Sequence, residues 1–60
     1  TAADIVVRDV APSQVAKYAE TLLPKKGGIG LYSGFTHVDV RASRSRWDST
    51  SGREVAVSGF

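Results

Sequence analysis

The chain has 60 residues, 42% hydrophobic and 23% charged, with no cysteine and a net charge of +2. This length holds at most one small domain, which buries only about 60% of its unfolded surface. The absence of cysteine excludes disulfides and thiolate metal sites, no apolar run approaches the roughly 20 residues of a membrane span, and the composition is not that of a disordered chain. Any bound metal must use the single histidine, His37, together with Asp or Glu side chains.

The chain opens on Thr1 and reads as strand almost at once, so a piece of a longer domain is expected. Residues 3–8 (Ala3-Asp4-Ile5-Val6-Val7-Arg8) are rich in β-branched side chains and predict a strand. Pro12 suits the first position of a helix. From there to about Leu23, Val15, Ala19, Leu22 and Leu23 recur at helical spacing and predict the core stripe, with Lys17 and Glu20 on the other side and Tyr18 at its edge. Pro24 ends the helix, and Lys25-Lys26-Gly27-Gly28 predicts a loop.

Residues 29–32 predict a short second strand, and Ser33-Gly34 a turn. Residues 35–40 alternate and predict a third strand. Period two puts Phe35, His37 and Asp39 on one face and Thr36, Val38 and Val40 on the other. The valine face is the natural core face, which leaves His37 and Asp39 together on a more open one. Residues 42–52 are polar and predict a loop, with Trp47 as a cap over the small core, and residues 54–57 are the candidate for a last strand. The fold expected is α+β, a small, mostly antiparallel sheet with one helix packed on it, in a single domain over residues 1–60.

Two segments carry a resemblance. They are Ala2-Ala3-Asp4-Ile5, and Gly28-Ile29-Gly30-Leu31-Tyr32 followed by Phe35-Thr36-His37-Val38-Asp39 and then Ser45-Arg46-Trp47. Together they resemble a family of zinc peptidases, in the branch named for a D-Ala-D-Ala carboxypeptidase C-terminal domain. That family carries S-x-H-x-x-G-x-A-x-D, whose His and Asp bind zinc, and a later strand His completes the site. The resemblance implies a part of the D-Ala-D-Ala peptidase/hedgehog-like fold, with Asp4 and His37 as zinc ligands. The family's upstream histidine has no counterpart here. The chain is therefore expected to hold two of three ligands and to be the C-terminal part of a longer peptidase domain.

A catalytic zinc commonly keeps three protein ligands and an open position, and imidazole and carboxylate donors suit it. Relatives place a general base two or three positions before the last histidine, where this chain has Phe35 and Gly34. Asp39 is the nearest acid, and is expected either to act on the water or to hold the second ring nitrogen of His37. Arg41, on the same strand face, is expected to meet a substrate carboxylate. The resemblance implies a peptidoglycan stem peptide as substrate, Zn²⁺ as cofactor, and a place of work in the cell wall, outside the cell or in the periplasm, or as a phage lysin. Two other classes stand beside this one. A relative could bind wall peptides without cutting them, and Arg41, Arg44, Arg46 and Arg53 around Trp47 could form a basic patch for nucleic acid.

Overall fold

The computed structural model describes residues 1–60. The elements in order are β1 (Ala2–Ile5), α1 (Pro12–Leu22), β2 (Gly28–Leu31), β3 (Thr36–Asp39), β4 (Ser45–Asp48) and β5 (Val55–Ala56). They form one five-stranded sheet in the order β1-β3-β2-β4-β5, with only the β2–β4 pair parallel. The α+β fold read from the sequence is the observed one: a mostly antiparallel sheet with a single helix on one face.

Residues 42–52 depart from the loop expected there, because Ser45–Asp48 is a strand. Its Ser-Arg-Trp-Asp sequence hides the apolar alternation by which strands are recognised. Both central side chains are nonetheless buried, Arg46 toward the helix and Trp47 on the opposite face.

The helix begins without a side-chain cap. Pro12 supplies its preset φ, and the Thr36 hydroxyl donates to the Pro12 carbonyl at 2.7 Å, tying the helix start to β3. Ala16 and Ala19 face Ile29 to make the core, and Leu31, Val38 and the C-terminal Phe60 pack around it. The expected stripe holds in part: Ala19 is buried and Val15 and Leu23 are half-buried, but Leu22 is 63% exposed and Ala16 is buried instead, because the small alanines let the helix approach the sheet.

Only 10 of the 60 residues are buried, so polar ties between the layers matter. The chief one joins Glu20, which was expected to face solvent, to Arg46. The Arg46 guanidinium donates to both Glu20 oxygens at 2.8 and 3.0 Å and to the carbonyls of Gly27, Lys26 and Leu23. A cation is favourable at a helix C-terminus, where carbonyls lack partners. The Phe60 amide also donates to Glu20.

Candidate functional site

The β register builds a row of side chains across the face away from the helix. Asp4 pairs with His37, His37 with Gly30, Gly30 with Trp47, and Trp47 with Ala56. The next row holds Asp39 beside Gly28. Ile29 and Val38 lie between these rows and point to the helix, so the period-two alternation places every predicted site residue of strands β1 and β3 on one face.

Two glycines make this face possible. A Cβ on Gly28 would sit 2.5 Å from an Asp39 carboxylate oxygen, and one on Gly30 would sit 2.3 Å from the Trp47 ring. Bare backbone at these positions lets Asp39 lie against β2 and lets the indole lie flat over it. Trp47 is therefore not a cap over the helix-side core but the floor of the opposite face. Its ring centroid is 5.5 Å from that of His37, and the Arg41 guanidinium lies 5.5 Å from the indole. Its Nε1–H donates to the Tyr32 hydroxyl at 3.0 Å, and Tyr32 stacks on Phe35 at 4.5 Å. The face is open and forms no enclosed pocket.

His37 stands between two carboxylates. Its Nδ1 is 2.9 Å from Asp4 Oδ1, and its Nε2 is 3.0 Å from Asp39 Oδ2. The Asp4 contact joins residues 33 apart in sequence. With an acceptor at each nitrogen, the ring satisfies both contacts only as the doubly protonated imidazolium. Burial works against that charge. The hydrogen bonds and charges of Asp4 and Asp39 outweigh it, and the His37 pKa lies above its ordinary 6.5.

Asp39 is nearly enclosed, with 11% of its side chain exposed. Its Oδ1 accepts from the Gly28 amide, the Arg41 amide and Arg41 Nε, and its Oδ2 from Arg41 Nη2 and His37. The Arg41 bonds hold its pKa far below the usual carboxylate range, with His37 and the two amides helping and burial opposing. A carboxylate so stabilised as the anion is a poor proton acceptor. Of the two roles expected for Asp39, the geometry therefore disfavours the base and suits the group that orients His37. Arg41 in turn is not a free cation. Two of its nitrogens are committed to Asp39, and Nη1 has no hydrogen-bond partner.

The residues offer a zinc ion a partial fit. For donors roughly 2.0–2.1 Å from a tetrahedral zinc, neighbouring ligand atoms lie about 3.3 Å apart. Asp4 Oδ1 and His37 Nδ1, at 2.9 Å, are closer than that separation, and the carboxylate would have to swing off the Nδ1–H axis to admit the ion. Asp39 approaches the other ring nitrogen and cannot join them. No group of three His, Cys, Asp or Glu side chains that could hold a metal forms. The fit is that of two ligands.

Three of the four arginines considered for a nucleic-acid patch are engaged within the fold. Arg46 points to the helix side with none of its side chain exposed, Arg44 binds Glu20 and the Pro24 carbonyl, and Arg41 binds Asp39. Sequence reasoning missed the Tyr32–Phe35 stack and the seat of Trp47. The signal for the latter was present: Gly28 and Gly30, two apart on one strand, leave one face bare for a large neighbour. Compared with known protein families, curated proteins and solved structures, the chain matches none.

Proposed function

We propose that this chain supplies two ligands, Asp4 and His37, to the zinc centre of a peptidase that cleaves peptidoglycan stem peptides, of the D-Ala-D-Ala carboxypeptidase or endolysin type. The reading joins the sequence resemblance to one observation: the Asp4 carboxylate and the His37 imidazole meet at 2.9 Å from directly paired positions on neighbouring strands. When bound, zinc would supply Lewis acidity and a water nucleophile near neutral pH.

The chain's own residues have distinct tasks in this scheme. Asp39 accepts the Nε2–H of His37, fixes the ring's orientation, and directs Nδ1 toward Asp4. Arg41 keeps Asp39 ionised and offers its unpartnered Nη1 to a substrate carboxylate. Trp47 covers Gly30 and floors the face on which the substrate would lie.

One observation favours a second reading. Asp39, the only acid beside His37 other than Asp4, is fully engaged, so these residues provide no free general base. A non-catalytic relative that binds wall peptides has the same half-site. Incubating a longer, zinc-loaded form of the protein that also carries the upstream histidine with a peptide ending in D-Ala-D-Ala separates the two. The peptidase reading expects release of D-alanine that disappears with Asp4→Asn. Binding without release would favour the second reading.

A further inference from the structure

Tyr32 carries a hydrogen-bonding group that the fold leaves unspent. A phenol oxygen has one donor and two acceptor positions. The Trp47 indole fills one acceptor position at 3.0 Å, and no protein group accepts the Tyr32 O–H. The oxygen is nonetheless held in place. Trp47 Nε1 lies over Gly30, where an added Cβ would be only 2.4 Å away, and Gly30 pairs directly with His37. The phenol ring is fixed on its flat side by Phe35, stacked at 4.5 Å and 9°. An oriented donor with no partner, on the open face that carries His37, is pre-organised for an acceptor from outside.

The chemistry of that acceptor follows from the neighbours. Arg41, beside the same indole, leaves Nη1 without a partner after binding Asp39. Both unspent groups donate, so the matching ligand presents oxygens: a peptide carbonyl and a carboxylate. Tyr32 meets the indole at Nε1 and Arg41 lies over its ring, so both donors border the same side chain.

We infer that the Tyr32 hydroxyl donates to a backbone carbonyl of the peptide bound over His37, which makes Tyr32 a substrate-contacting residue of this site. The inference rests on the peptide-binding role proposed above and adds a residue to it. Its ligand is a short peptide with a free C-terminal carboxylate, and Phe35 serves to hold the phenol.

The test uses N-acetyl-D-alanyl-D-alanine as the probe and Trp47, the sole tryptophan, as the reporter. In the zinc-loaded protein the probe should change Trp47 emission saturably. Tyr32→Phe keeps the stack and removes the oxygen, and should weaken binding about tenfold, the loss of one hydrogen bond. Because this variant also takes an acceptor from Trp47, a second measurement uses the wild-type chain alone. Nuclear Overhauser contacts should join the probe's methyl groups to the Tyr32 ring and not to Tyr18, which lies exposed on the helix. No saturable response in the wild type, equal affinity in Tyr32→Phe, or no contact to the Tyr32 ring each overturns the inference. Probe that binds through Tyr32 and is never cleaved, even by a longer form carrying the upstream histidine, would overturn the peptidase reading instead and leave this one standing.

Discussion

Gly30→Ala tests the packing that floors the site. A Cβ there would lie 2.3, 2.4 and 2.5 Å from three atoms of the Trp47 ring. Carbon atoms in contact sit about 3.5–4.0 Å apart, so the indole must retreat by roughly 1 Å. Two effects compete. Alanine is the better residue inside a strand by about 0.5–1 kcal/mol. Overpacking costs about 1–3 kcal/mol, and this clash strikes a rigid ring already tied to Tyr32. The clash wins, with a net loss of about 1–2 kcal/mol, from a total of about 3–9 kcal/mol for a chain this short. Urea unfolding followed by Trp47 emission reads it directly. With a slope of about 1 kcal/mol per molar, the midpoint should fall by about 1–2 M. Gly34→Ala is the control, since nothing lies within 4 Å of its added Cβ, and its midpoint should hold or rise slightly. A Gly30→Ala midpoint at or above the wild type would refute the reasoning.

The remaining predictions concern charge. Glu20→Gln leaves the fully buried Arg46 side chain without its counter-charge and should cost about 3 kcal/mol or more at pH 7 in the same urea assay. The Glu20 pKa is lowered chiefly by Arg46, so this stabilisation is full above the unfolded value near 4.3 and lost as pH falls through the folded one; the gap between variant and wild type should close in acid. Asp39→Asn removes the charge and one of the two oxygens of the group that orients His37, and zinc affinity measured against a competing chelator should drop about 10–100-fold. Zinc must also displace the proton on Nδ1. With the His37 pKa raised above 6.5, affinity should climb about tenfold per pH unit up to that folded pKa and then level; a flat profile between about pH 5.5 and 6.5 would contradict the assignment. Without metal the sign is opposite. The stability His37 gains from its carboxylates is full below its unfolded pKa and is lost as pH rises through the folded one.

Much of the fold was legible because its signals are local. Pro12 and Pro24 bracket the helix, the alternation from Phe35 to Val40 marks β3, and period two places His37 and Asp39 together. What was not legible depends on partners distant in sequence. Arg46 and Trp47 look like loop residues until Glu20 and Gly30 are set opposite them. The helix stripe was misjudged at Leu22 and Ala16, because hydrophobicity favours Leu22, whereas close packing on Ile29 favours Ala16. Asp39 was recognised as a neighbour of His37, but its role turns on Arg41 and the Gly28 amide, which saturate its oxygens. The Asp4–His37 pairing entered through resemblance, and strand register brings the two side chains to 2.9 Å.

The most direct test of the account is a zinc titration of the chain followed through the ring signals of His37, the only histidine, with Asp4→Asn alongside. The account predicts saturable shifts of the His37 ring, with loss of the Nδ1 proton, that weaken in Asp4→Asn. A ring that does not respond to zinc, or responds equally in both proteins, would contradict the claim that Asp4 and His37 together hold a metal.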